Sequence, residues 1–479
     1  MTRSAAVCLG GLLLNQAAGQ AGAALLARRI PDPALYGTLS LLLQILNAAT
    51  LAVGLGLNNA LVYDIATRRP GAGRSFAAAR NGTLALAALP VALCLLVAPF
   101  VATAYREPGL ATALRLGSLF LFAQAAMNAA GAAQAGLRRF GVQTGLMVAA
   151  TTLAVAGRLA AVPLVLRGAS LGWVAMAGTG GVAAVAGLGL ALGARAIPRG
   201  PDRPGDWLTE VPRMLRYGWP LWAGNLLKAF QQPYLVLVAG AVSVTAAGYV
   251  ANDVALIGWA FLVTWAFRMV AVPLIAAGGG PGERRARATL CFRLNHLALF
   301  PVVAALCLWP HQIVTAVYGA RYAAAAPLLP LLALGVYGSS IGRLTTDTLA
   351  GSNQTRASLP IMLISSLPLL LAAPIALAHG TLWLGGLYCL GWLASGAYAC
   401  LLLPRLGLGV HFRQAFVEPF LPTLCAAPLA LWASRAGGAL LPAAALIVFA
   451  ALTFAVYQSD GWRPRDTLPA PAGTAAPSA

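Results

Sequence analysis

The feature that most constrains this chain is a succession of apolar stretches, each near the roughly 20 residues a helix needs to cross a bilayer. Bounded by Arg, Pro or Gly clusters, they fall at about 5–27, 36–63, 82–104, 112–136, 142–166, 169–194 and 217–240, then at about 247–277, 290–316, 324–349, 359–379, 381–403, 416–434 and 439–457. The expected fold is an all-α polytopic membrane protein of about 14 transmembrane helices. The first stretch starts behind Arg3 and passes a small-residue Ala21-Gly22-Ala23 that could end a signal peptide. It runs on to Ala27, long enough to span, and is read as the first helix.

Composition excludes other classes. Only 9% of the 479 residues are charged, against about 25% in a soluble domain, which rules out a soluble globular enzyme. The net charge of +20 does not mark a nucleic-acid binder, because the arginines punctuate apolar runs instead of covering a solvated face. The seven cysteines and four histidines are scattered without the short paired spacing of a metal site, so no metal or cofactor is expected.

Basic residues are retained on the cytoplasmic side during insertion. With fourteen helices and a cytoplasmic N-terminus, 21 arginines fall in cytoplasmic segments and seven (Arg28, Arg29, Arg106, Arg115, Arg167, Arg321 and Arg435) in outer ones. One missed or invented helix would scramble this alternation, so both termini are expected in the cytoplasm. The longest connection is Pro-rich and charged, as a linker between lobes would be. The resulting division is an N-terminal lobe at 1–194 (helices 1–6), a cytoplasmic linker at 195–216, a C-terminal lobe at 217–403 (helices 7–12), an extra helix pair at 404–457 and a disordered cytoplasmic tail at 458–479. A faint repeat supports two lobes: Gln20 to Leu42 can be laid on Gln232 to Val254 at an offset of 212, bringing Tyr36-Gly37 onto Gly248-Tyr249 and Gln16 onto Lys228. Lobes so related would bind substrate between them.

The first two helices read N15-Q-x-x-G-Q, then LLARRIPDPALYGTLSLLLQI, then GLGLNNALVYDIA. This resembles the opening of the polysaccharide-repeat-unit (Wzx-type) flippases of the multidrug/oligosaccharidyl-lipid/polysaccharide exporter superfamily, most clearly over 11–66 and weakly over 218–277. The resemblance implies a V-shaped pair of helical lobes. It also implies transport of an undecaprenyl-diphosphate-linked oligosaccharide repeat unit from the cytoplasmic to the periplasmic leaflet of a bacterial inner membrane, by alternating access, for surface polysaccharide (exopolysaccharide or O-antigen) biosynthesis. The implied partners are the lipid-linked substrate, the bilayer, and the polymerase and glycosyltransferases of the same route. The extra pair is similar to the additional helices of peptidoglycan-precursor flippases.

Four basic residues remain inside spans: Arg158, Lys228, Arg268 and Arg343. Each would cost about 2.5–3.5 kcal/mol facing lipid at the bilayer centre, so each should point into the bundle or a wet cavity. Two uses are open, neutralising a substrate diphosphate or an internal salt bridge with snorkelling. Arg158 and Lys228, the deepest, favour the first. Arg268 and Arg343 lie nearer helix ends, and Arg343 has Asp347 as an i,i+4 partner able to neutralise it. Asp64, Asp253 and Asp347 are the candidate ion-coupling carboxylates for Na+ or H+, with helix-end anchoring as the competing role for Asp64 and Asp253. Gln16 with Gln20, and Gln124 with Asn128, mark polar faces suited to sugar hydroxyls or to interhelical hydrogen bonds.

Two G-x-S-x-G matches, at 168–172 and 338–342, lack the strand-turn-helix setting of a nucleophile elbow. No Walker-type ATP site exists, because the one lysine, Lys228, lies between Leu227 and Ala229. The competing functions are a multidrug/cation antiporter of the same superfamily, which would need buried carboxylates, and a membrane-embedded glycan polymerase or transferase, which would need acid and base groups at the outer face. Asp32 and Glu107 are the only carboxylates there. The leading expectation is therefore a flippase and not an enzyme.

Overall fold

The computed structural model describes residues 3–67, 71–197, 207–276, 280–352 and 354–421, with 423 and 428. Within them the chain is helical, with no strand. Among the described residues twelve helical segments follow one another along the bundle: α1 (Arg3–Arg29), α2 (Pro33–Leu51) continued by α3 (Leu57–Ala66), α4 (Ala72–Ala104), α5 (Gly109–Gly117) continued by α6 (Phe120–Gly136), α7 (Phe140–Leu166) and α8 (Gly172–Ala196). Then come α9 (Trp207–Val242), α10 (Val244–Ala276), α11 (Pro281–Leu308), the short α12 (Pro310–Tyr318), α13 (Leu329–Gly351), α14 (Leu359–Leu370) continued by α15 (Ala372–His379), and α16 (Thr381–Arg405). Nine helical stretches among the described residues are long and apolar enough to cross a membrane on length and composition alone. The twelve segments coincide with the first twelve expected spans. The expected spans 416–434 and 439–457 and the tail at 458–479 lie mostly or wholly outside the described residues, as do 198–206 of the linker.

Local chemistry sets the boundaries. Asp32 caps α2 by accepting from the Ala34 N–H at 2.9 Å, and Pro33 occupies the first turn, where its missing N–H costs nothing. The second span breaks because Gly54, Leu55 and Gly56 all have positive φ (87°, 41° and 92°), a run that no α-helix accommodates. Pro90 and Pro99 sit inside α4 and Pro163 inside α7, which neighbouring helices make tolerable in a membrane. Leu89, Leu93, Leu96 and Phe100 recur at helical spacing along α4 and are all more than half exposed, a stripe that meets lipid.

Helices α1 and α3 to α8 pack largely on one another, α10, α11, α13, α14 and α16 form a second group, and α2 packs mainly on α10 and α9. Small residues allow close approach: Gly157 lies against the Ala177 carbonyl between α7 and α8, and Gly338 against the Trp392 backbone between α13 and α16. Helix α9 belongs to neither group alone, since it packs on α2, α3 and α4 as well as on α10. The α1–α2 and α9–α10 turns fall within a residue of the 212 offset, as the repeat requires.

The helices alternate in direction, so their ends gather at two faces, an arginine-poor face (30–32, 105–108, 167–171, 243, 309–328 and 380) and an arginine-rich face where α3 ends and α4 begins, and likewise for α6 and α7, α8 and α9, α10 and α11, and α13 and α14. At the arginine-poor face the two groups are stitched together. Tyr36 donates to the Asn252 side-chain oxygen at 2.8 Å, and Tyr318 to the Asn252 carbonyl at 3.2 Å. Arg321 donates to the carbonyls of Arg28, Ile30 and Pro31 at 2.7 to 3.1 Å, while Arg28 reaches back to those of Ala316 and Val317. Two guanidinium groups thereby satisfy helix C-terminal carbonyls that have no partner within their own helices. Near the arginine-rich face Arg213 pairs with Asp64, and at the α2–α3 break Trp222 donates to the Leu51 carbonyl at 2.6 Å.

Candidate functional site

Two cavities meet at Asn15. The first, about 360 Å³, lies among α1, α2, α6, α7 and α8, and Arg158 projects into it beside Ser40, Gln124 and Thr151. The second, about 480 Å³, lies between the helix groups, with α1 on one side and α9, α10 and α13 on the other. Gln16, Gln232, Phe261, Trp265, Arg268 and Arg343 line it.

Helix positions explain why charge gathers there. Arg343, on α13, stacks its guanidinium over Phe261 at 5.0 Å and over Trp392 at 5.4 Å from the ring centroids. The planar ion is held by aromatic faces without a carboxylate, and its Nε is buried without a hydrogen-bond partner. Arg268, on α10, is held differently, with Nε donating to one Asp347 oxygen at 2.6 Å and an Nη to the other at 3.0 Å. This corrects the i,i+4 expectation: Asp347 pairs across helices with Arg268, not along its own helix with Arg343. Among the described residues Asp347 thus offsets Arg268, while Arg343 has no carboxylate bonded to it and leaves the cavity one uncancelled positive charge.

Arg158 has neither hydrogen bond nor ion pair among the described residues, and its Nε is buried. Its Nε and Cγ lie over Gly178 on α8, where a Cβ would collide with them, so that glycine makes the room the guanidinium occupies. The structure thus brings Arg268 and Arg343 to one cavity and Arg158 to the other. Lys228 belongs to the stretch of α9 that reaches the interlobe cavity through Ala229 and Gln232, but its side chain lies outside the described residues.

The amides of Gln16 and Gln20 both lie over Gly258 of α10, and Gln16 faces the interlobe cavity. Gln124 donates to Asn128 at 3.1 Å and lines the first cavity, while Thr151 donates to Asn15 at 2.7 Å. Among the candidate carboxylates, Asp64 accepts from Arg213 at 2.5 and 3.2 Å and from Ser75 at 2.7 Å. Asp64 with Glu210 pushes the Arg213 guanidinium above its usual range, partly opposed by burial. The expected neighbour Arg68 lies outside the described residues. Asp253 is different from both other carboxylates: it is fully buried and neither oxygen has a hydrogen-bond partner.

Sequence reasoning missed Phe261, Trp265 and Trp392, because an aromatic inside an apolar run reads as core. Arg213, inside the expected linker at 195–216, proves to be the partner of buried Asp64, and Trp309 is buried.

A family model described as polysaccharide biosynthesis protein matches residues 25–327. No curated protein matches the sequence. Among solved structures, the lipid II flippase MurJ in an inward closed conformation superposes with a TM-score of 0.71 at 11% identity, covering 95% of this chain and 99% of that one. An inward-facing multidrug resistance MATE family transporter of the MOP superfamily gives 0.58 at 16% identity, covering 84% and 98%. A MOP superfamily transporter from Pyrococcus furiosus, described as having a binding pocket of reverse polarity, gives 0.50 at 15% identity, covering 85% and 94%. At such identities the likeness establishes the fold, a polytopic helical bundle, and nothing finer.

Proposed function

The chain belongs to the polysaccharide biosynthesis protein family, and from that premise we propose that it is a flippase for an undecaprenyl-diphosphate-linked oligosaccharide repeat unit. In this reading it moves that unit from the cytoplasmic to the periplasmic leaflet of a bacterial inner membrane, with the arginine-rich face cytoplasmic. The observation that carries it is Arg343, a guanidinium held by two aromatic rings in the cavity between the helix groups, with no carboxylate to cancel it. A diphosphate supplies the missing negative charge in a place of low dielectric, and a planar donor fork suits its oxygens. A cationic drug would meet net repulsion there, which disfavours the multidrug antiporter, and among the described residues no acid/base pair in either cavity favours a transferase. Arg268 is offset by Asp347, and Lys228 on α9 adds a further positive charge on a helix that lines the same cavity. With Asp64 and Asp347 engaged in ion pairs, Asp253 is the strongest coupling candidate for Na+ or H+: a buried carboxylate without partners needs a proton or a cation. Polymerase and glycosyltransferases of surface polysaccharide synthesis are the expected neighbours in the route.

The test is surface-glycan output in a strain lacking the chromosomal copy, normalised to inserted protein. Arg343→Ala and Lys228→Ala should abolish output, and Lys228→Arg should retain part of it. Full output from the Arg343→Ala, Lys228→Ala double variant at normal protein levels would overturn the assignment, and export of cationic dyes by the wild type would favour the antiporter.

A further inference from the structure

We propose that the glycan this protein moves is acidic, and that Arg158 in the cavity of the first helix group binds the carboxylate of a uronic acid residue of the repeat unit. The proposal rests on the flippase reading and extends it to the chemistry of the sugar. Three observations carry it. Arg158 is a second cation, in a cavity separate from the one that holds Arg268 and Arg343. It is uncompensated: residues 1–201 contain Asp32, Asp64 and Glu107 as their only carboxylates, of which Asp32 caps α2, Glu107 lies in the 105–108 connection and Asp64 is paired with Arg213. Its site is also built, with Gly178 leaving room for the guanidinium and the amides of Asn15 and Gln124 and the hydroxyls of Ser40 and Thr151 lining the cavity with it. Such a cavity is lined as a sugar site is lined, except for one fixed positive charge that a neutral sugar does not need.

The depth of the two sites fits one substrate lying across both. Arg343 is 8 residues from the arginine-rich end of α13, and Arg158 is 18 residues from that end of α7. At the helical rise of about 1.5 Å per residue, Arg158 lies about 15 Å deeper. A lipid carrier entering from the arginine-rich side would hold its diphosphate at Arg343 while its glycan extends past Asn15 towards Arg158. The second site therefore meets the sugars and not the phosphates.

The experiment uses the full-length protein in nanodiscs and synthetic polyprenyl-diphosphate trisaccharides. One probe is neutral, and three others carry glucuronate at the first, second or third sugar. The wild type should bind one of the acidic probes about tenfold tighter than the neutral one. Arg158→Gln should bring that ratio close to one, and Arg158→Lys should restore part of it, while Arg343→Ala should weaken all four probes together. Equal binding of all four probes by the wild type, or a ratio that survives Arg158→Gln, overturns the acidic-sugar inference and leaves the flippase reading standing. Failure of every probe to bind overturns both.

Discussion

Gly37 on α2 and Gly248 on α10 meet backbone to backbone, so closely that a Cβ on Gly37 would run into the Val244 carbonyl and one on Gly248 into the Gly37 Cα. In the 212-residue repeat, Gly248 is the counterpart of Tyr36 and Tyr249 that of Gly37, so the two halves touch through nearly equivalent positions. The hydrogen bond from Tyr36 to Asn252 lies one turn further along the same crossing. This is where the arginine-poor face is closed.

Gly248→Val should therefore hold α2 and α10 apart. Overpacking of this kind costs about 1–3 kcal/mol, read as a lower melting temperature in detergent. In a background without native cysteines, the same substitution should raise labelling of Asn252→Cys by a membrane-impermeant maleimide. Unchanged melting and labelling would show that the crossing is looser than described.

The Asp64 side chain is 1% exposed, and Arg213 reaches it from α9. Arg213→Ala leaves a buried carboxylate without its guanidinium and should cost about 3 kcal/mol, since stranding a charge costs more than removing a pair. Adding Asp64→Asn should recover more than half of that loss. A double variant no more stable than Arg213→Ala alone would contradict the pairing.

Asp347 chooses Arg268, 79 residues away, over Arg343 on its own helix. Losses from Asp347→Asn and Arg268→Gln should therefore be strongly non-additive, with a coupling of about 0.5–3 kcal/mol. Asp347→Asn and Arg343→Gln should come closer to additivity. Thermal melting of the six single, double and parent proteins decides it, and the reverse pattern would restore the i,i+4 pair.

Orientation has its own test. Reporter fusions near Asp206 and after Gln458 should both report the cytoplasm, because the positive-inside asymmetry of the connections is large. Opposite sides at the two positions would remove the fourteen-helix arrangement.

The sequence by itself determined the bundle. Twenty apolar residues in lipid have one economical backbone solution, so the spans, the breaks at Pro and Gly clusters and the alternation of arginine-rich connections could all be read along the chain. It also singled out Arg158, Arg268 and Arg343, since charge inside an apolar run is conspicuous without any fold. Which partner each charge takes was decided only by tertiary structure. On one helix both side chains tilt towards the N-terminus, and a base placed before its acid is the weaker i,i+4 order, so the Arg343–Asp347 spacing was a poor guide once α10 brought Arg268 alongside. The aromatic rings that hold Arg343 were invisible for the opposite reason, because Phe261 and Trp392 look like their apolar neighbours until helix packing turns them to face a cation. The separation of Arg158 into its own cavity depends on Gly178 of the neighbouring helix, a contact between helices that no spacing within either one encodes.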